Sequence, residues 1–401
     1  MTRRFNKFQF IYLFTFVTLF WACNPTEPTP KENEYLVSAD LVQTYNLTQF
    51  KQFVNSTLGA QTGGIDISLF IQSGIDQIKI VYNTKDLKGN DILASGALII
   101  PNSLPENTFA LGSLQHGTLF NEQDAPSYFG VNTEASLGSI LASTGMIIAL
   151  PDYLGYGASK NIAHPYEHKE GLSDSNIDFL RAVKEYIAQE EIKFNNKLLL
   201  AGYSEGGYAT MAMHQAIQDE DDDEFNVVVS SCGAGAYNKT ASVNEIITRD
   251  SAGDPAFNSS YIWVLQTYNE LEGINRPMSS YFIEPFASQI TQSGPAVQVT
   301  QSFKSILNPT FVAGVMNKTD TEFLAAIAEN DVYDWRPVAP VTLYHGTADE
   351  YVPFLNSQTA FDAMKRNNAP DVKLNPIQGG THGSSINEYF TGTFLLFSSF
   401  R

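Results

Sequence analysis

The sequence predicts an α/β fold: a mostly parallel central sheet flanked by helices, carrying a mostly helical insertion. Three observations predict it. From about residue 75, short runs rich in Ile, Val and Leu alternate with longer helix-spaced stretches; the rhythm lapses between 236 and 331; it returns with Val341-Thr342-Leu343-Tyr344-His345. Short apolar runs bounded by Pro or Gly suit the strands of a sheet covered on both faces.

Residues 24 to about 34 read as a linker, and 35–75 as an irregular or helical region around Ala39-Asp40-Leu41-Val42. Strands are predicted at 78–82, 94–100, 109–113 and 146–150. A helix follows, with Ser173 or Asp174 as its cap and Ile177, Leu180, Ala182, Val183 and Ile187 at helical spacing. The strand 197–201 leads through Gly202-Tyr203-Ser204 into a helix from Glu205 to Ile217. The acidic run Asp219 to Glu224 lacks the spaced ligands and turn glycine of a calcium loop and reads as a solvated turn before the strand 225–230. After the insertion come the strand 341–345, a helix from Asn356 to Lys365, the strand 372–377 and a last helix within 385–399. Pro376 suits a sheet edge or strand end.

Composition narrows the class. The 401 residues carry a formal net charge of -19 with only 24 Lys plus Arg, which argues against nucleic acid as a partner and against adhesion of the folded domain to anionic lipid. At the N-terminus Arg3, Arg4 and Lys7 precede an apolar run from Phe10 to Ala22, the layout of a signal peptide over 1–22. Ala22-Cys23 followed by a Pro- and Thr-rich stretch resembles the lipobox of bacterial lipoproteins. That resemblance implies a lipid on Cys23, a tether over 23–34, and attachment to a membrane at the periplasmic or outer surface. Phe20 stands where Leu is usual, so plain secretion stays open. Cys232 is then the single cysteine of the mature body, so no internal disulfide is expected and a small buried hydrophobe is. Nothing in the composition bears on oligomeric state.

Gly202-Tyr203-Ser204-Glu205-Gly206 has the form of a nucleophile elbow, a strand-to-helix reversal sharp enough to need small residues two positions either side of the serine. A serine hydroxyl needs an adjacent base, itself held in one tautomer by a carboxylate, and for this elbow the chain order is nucleophile, acid, base. Asp349 is the candidate acid, with its neighbour Glu350 as the alternative, and His382 in Gly380-Thr381-His382-Gly383 is the candidate base. Both follow predicted strands. His345 reads as structural, His214 lies ten positions along the elbow helix and too far away, and His164 and His168 border the region without a visible partner. An oxyanion needs two N–H donors. The Glu205 amide at the helix start is one candidate; Gly117 or Thr118, in the loop after the strand 109–113, is the other. His116 either orients that loop or packs against it. In Pro151-Asp152-Tyr153-Leu154-Gly155-Tyr156-Gly157, Asp152 either caps a turn or stiffens the loop behind the elbow, and Tyr153 and Tyr156 are pocket-wall candidates.

These motifs resemble the α/β-hydrolase superfamily. More narrowly, Pro151 to Gly157, the elbow and His345-Gly346-Thr347-Ala348-Asp349 resemble the secreted lipases related to Candida antarctica lipase A. The resemblance spans roughly 75–400. It implies an α/β-hydrolase core over 35–235 and 332–401, a helical cap over 236–331, and Ser204, Asp349 and His382 as the triad. The expected activity is cleavage of small or lipid-like carboxylic esters through an acyl-enzyme, with no metal or organic cofactor. Two alternatives stay open: a prolyl-oligopeptidase-like peptidase, for which no acidic pair to hold a substrate amino terminus is evident, and a non-catalytic surface binding module. Glu205 brings a charge next to the serine, which favours an esterase over a lipase with an apolar entrance.

Overall fold

The computed structural model describes residues 33–58, 70–104, 108–131, 133–220 and 223–400. The signal-like segment, Cys23 and the tether lie outside the described residues. Among the described residues nine strands form one sheet in the order β1-β2-β3-β5-β4-β6-β7-β8-β9. β1 (Leu36–Tyr45), β2 (Ile75–Lys85) and β3 (Asp91–Pro101) are successively antiparallel, and β3 meets β5 (Ile147–Pro151) antiparallel. From there β4 (Phe109–Gln115), β6 (Phe194–Tyr203), β7 (Asn226–Gly233), β8 (Val341–Gly346) and β9 (Val372–Ile377) are all parallel. This is the mostly parallel sheet that the strand-helix rhythm predicts, in keeping with the α/β-hydrolase core that the motif resemblance implies.

Both faces of the sheet are covered, as the all-apolar strands require. Side chains alternate across the pleat: Leu198 and Leu200 pack with Phe179, Leu180 and Met213, under α3 (Lys169–Gln189) and α4 (Glu205–Glu220). Leu199 and Ala201 point the other way, toward Ile140, Leu141 and Phe397 of α2 (Glu134–Ser143) and α12 (Ile386–Ser398). Between β7 and β8 the chain forms α5 (Lys239–Thr248), α6 (Pro255–Leu271), α7 (Phe286–Ser293), α8 (Phe303–Ile306), α9 (Pro309–Met316) and α10 (Thr321–Glu329). They share a hydrophobic cluster that includes Ile262, Tyr281, Phe303, Phe311 and Phe323, with no strand residue in it. α11 (Leu355–Arg366) then precedes β9, whose position at the sheet edge accommodates Pro376.

Each predicted strand overlaps an observed one, with ends up to three residues apart, but the N-terminal reading is corrected. Ala39-Asp40-Leu41-Val42 lies in strand β1; the helical part is α1 (Leu47–Phe53), which follows it. β1 is an edge strand with two register shifts and only Leu36 buried, so it shows no period-2 apolar pattern. α3 begins before Ser173 and Asp174, where the His168 side chain accepts from the Gly171 N–H. In the acidic turn Glu220 and Glu224 both bond Arg181 at 2.9 Å. Asp221 and Asp222 lie outside the described residues.

Candidate active site

β6 ends at Tyr203 and α4 begins at Glu205, leaving Ser204 alone at φ 60°, in the left-handed region. The chain is that tight because nothing larger than hydrogen fits on either side. A Cβ on Gly202 would lie 2.2 Å from the Gly206 carbonyl oxygen, and one on Gly206 2.1 Å from that of Gln115. The elbow is tied to β7 by Ser204 N–H donating to Gly233 O at 2.9 Å.

The parallel sheet brings the ends of β6 and β8 and the loop after β9 to one edge, where three predicted residues meet. Ser204 Oγ lies 2.9 Å from His382 Nε2, and His382 Nδ1 lies 2.7 Å from Asp349 Oδ2. Nδ1 faces a carboxylate and so holds the hydrogen, leaving Nε2 to accept the serine proton. Asp349 Oδ1 accepts from the Tyr351 and Val352 amides, both at 2.9 Å, and His345 Nε2 stands 3.3 Å from Oδ2. Burial pushes the Asp349 carboxyl upward, but the bonds and charge from His345 and His382 outweigh it and hold the group well below the usual carboxylate range. His345 thus buttresses the acid; its own ring is fixed by Ser357 Oγ at 2.7 Å and by the Val352 carbonyl. Glu350 is exposed. His214 is buried on α4, bonded to Ser230, with burial alone pulling it down to about 3.

The Glu205 amide is at the N-terminus of α4, beside Ser204, where backbone donors are unsatisfied by the helix. Across from it, Gly117 approaches closely enough that a Cβ would lie 3.9 Å from Ser204 Cβ. Its N–H, however, donates to Glu134 Oε1 at 3.2 Å, so of the two loop candidates Thr118 is the one whose amide has no acceptor among the described residues. The Thr118 hydroxyl is 2.7 Å from Tyr166 OH.

The sequence profile of the secretory lipase family matches residues 125–382, more than half of the chain. The chain belongs to the secretory lipase family. Solved structures share the fold. A protein of Legionella pneumophila subsp. pneumophila is 23% identical, with 92% of this chain and 98% of that one covered at a TM-score of 0.79. The rice cell wall degrading esterase LipA from Xanthomonas oryzae is 21% identical, covering 90% of this chain and 96% of its own, at 0.74. Candida antarctica lipase A is 15% identical, over 90% of this chain and 83% of its own, at 0.60. No curated protein matches. Membership of the secretory lipase family supports hydrolysis of esters, and it suggests export. Among the described residues no helix is long and apolar enough to cross a membrane, and no group of three His, Cys, Asp or Glu is placed to hold a metal ion.

In this member of the secretory lipase family the cavity at the serine differs from the one the motifs suggest. A space of about 90 Å³ opens at Ser204 and runs between the helices of the insertion, past Val243, Ile246, Leu265, Phe311 and Phe323. Asp152, Tyr153 and Tyr156 are not in its wall. They stand behind the 115–119 loop: Tyr153 OH donates to His116 O, Tyr156 OH donates to Leu119 O, and the Asp152 carboxylate accepts from Ser95 Oγ and Ser127 N–H. His116 orients the loop, with its ring nitrogens 2.7 Å from Gly117 O and 3.0 Å from Asp152 O and its face stacked on Tyr153. Glu205 is likewise corrected. Its side chain is 1% exposed and turned inward to His164, so it puts no charge at the cavity mouth. Sequence reasoning missed Glu134, Tyr166, and the buried Lys239–Glu167 ion pair in the cavity wall, because each lies far along the chain from the elbow. The one local signal was the apolar spacing Val243, Ile246, Ile247, legible as a helix face but not as a face turned toward the serine.

Proposed function

We propose that the protein is a serine hydrolase of carboxylic esters working through an acyl-enzyme, with Ser204 as nucleophile, His382 as base and Asp349 as orienting acid. The continuous relay from Asp349 through His382 to Ser204 carries this reading. As the ester carbonyl enters, Ser204 Oγ attacks its carbon while His382 Nε2 takes the hydroxyl proton. The oxyanion so formed is received by the Glu205 and Thr118 amides, helped by the positive end of α4. Collapse expels the alcohol, which leaves with the proton from His382. Water, deprotonated by His382, then attacks the acyl carbon, and the acid departs as Ser204 recovers its proton.

The acyl part is accommodated in the apolar cavity, and residues 236–331 act as a cap over a core of 35–235 and 332–401. Enclosure by aliphatic and aromatic side chains suits an alkyl acyl group of a small or lipid-like ester. A fluorophosphonate probe tests the reading: the intact protein labels, and Ser204→Ala does not. A folded wild-type protein that fails to label points to the binding module instead. Turnover of p-nitrophenyl esters without peptide amides separates esterase from peptidase. The chain is further proposed to be exported by 1–22 and held at a membrane by lipid on Cys23. Cys23→Ala then moves the protein from the detergent phase to the aqueous phase on Triton X-114 partition, and an unchanged distribution refutes the anchor.

A further inference from the structure

The residue that follows the nucleophile carries a carboxyl group in the protein interior. Glu205 Oε1 lies 2.6 Å from His164 Nε2, with the two side chains 1% and 2% exposed. Glu205 Oε2 is buried and has no hydrogen-bond partner among the described residues, so the carboxyl group rests on His164 alone. The other ring nitrogen, Nδ1, lies 2.7 Å from the Leu154 carbonyl oxygen, which can only accept. Nδ1 therefore holds a hydrogen, and the short contact at Nε2 requires a second proton between ring and carboxyl. Together the two groups are electrically neutral.

That neutrality matters because of where Glu205 sits. Its N–H is the amide proposed to receive the oxyanion, and an uncompensated carboxylate on the same residue, away from solvent, would oppose the negative charge that develops there. Resting on the serine-hydrolase reading above, we infer that His164 is a charge-compensating positioning residue: it cancels the Glu205 carboxylate and fixes the first turn of α4. The loop that carries His164 also holds the opposite donor, since Tyr153, Tyr156 and Tyr166 bond His116, Leu119 and Thr118. The 152–166 segment thereby sets both sides of the oxyanion site, one by hydroxyl bonds and one by charge. The two substitutions are not equivalent. His164→Gln leaves a buried carboxylate with no cation; Glu205→Gln leaves a neutral imidazole that keeps its bond to Leu154 and accepts one from the new amide.

The test compares full-length wild type, His164→Gln, Glu205→Gln and the double variant, with kcat and KM for p-nitrophenyl butyrate and fluorophosphonate labelling as readouts. Labelling of the wild type at Ser204 establishes the underlying reading separately. Given that, kcat of His164→Gln is expected to fall by about tenfold or more with KM within about twofold, less for Glu205→Gln, and the double variant is expected to recover to within about threefold of Glu205→Gln. A double variant as poor as His164→Gln overturns the inference, because a purely structural role predicts no recovery from a second loss. So does a His164→Gln protein with wild-type kcat. If His164→Gln does not fold, the comparison of Glu205→Gln with the double variant decides: similar kcat supports charge compensation, and a further loss of about tenfold shows His164 acting through something other than Glu205.

Discussion

Replacing Asp349 with Asn changes one atom and reverses the logic of the site. In Asp349→Asn the retained carbonyl oxygen would still accept from the Tyr351 and Val352 amides, so the loop keeps its shape. The other atom, now an amide nitrogen, would face His382 Nδ1 at the 2.7 Å contact, and two donors cannot share it. The imidazole must turn to the tautomer with hydrogen on Nε2, which points at Ser204 and can no longer take its proton. Loss of the acid in such a triad is worth roughly three to four decades in kcat, about 4–5.5 kcal/mol of transition-state stabilisation. The assay is kcat/KM for p-nitrophenyl butyrate with the rate of fluorophosphonate labelling alongside, and Glu350→Gln is the control for the neighbouring carboxylate. A loss under about tenfold, or an equal loss in Glu350→Gln, refutes Asp349 as the acid. Stability gives a second check. The folded carboxyl is held below its ordinary value, so its contribution is fully present above the unfolded pKa, about 3.9, and is lost as pH falls through the folded value. Asn cannot titrate. The difference in urea midpoint between wild type and variant should therefore shrink below about pH 4.

Two further outcomes follow from the cavity and its wall. Leu265→Trp fills space beside the path from Ser204, so kcat/KM for an octanoyl ester should drop about tenfold or more while that for acetate is largely kept, each excluded methylene being worth about 0.8 kcal/mol; a uniform change across chain lengths would place the acyl group elsewhere. Lys239→Met leaves Glu167 buried without its cation and should destabilise the protein by about 3–5 kcal/mol in urea denaturation, and adding Glu167→Gln should recover much of it. The absence of recovery would mean that the Lys239 ammonium over the Tyr208 ring, not the ion pair with Glu167, holds the contact.

Much of the fold was legible because the central strands are buried on both faces and bounded by Pro or Gly, so their apolar runs are unbroken. β1 was not, since an edge strand with one buried residue has no pattern to show. α2 also escaped: eight of its ten residues are buried, and a helix buried nearly all round has no amphipathic period. At the site, Ser204, Asp349 and His382 were legible from their order along the chain and their place after strands. The partners of Gly117 and Glu205 were not. Glu134 and His164 are set against them by the crossing of distant segments, and a carboxylate beside the serine says nothing by itself about which way it turns. Tyr153 and Tyr156 sit in the right loop, yet their hydroxyls are spent on carbonyls behind it.

The helices that wall the cavity pack around a cluster of their own, whereas Ser204, His382 and Asp349 stand on loops at the end of the sheet. On the proposed function, selectivity and reactivity are therefore under separate mutational control. On that reading Val243, Ile246 and Leu265 can be exchanged while the contacts among Asp349, His382 and Ser204 stay as they are, and a library confined to those positions should sample new ester preferences.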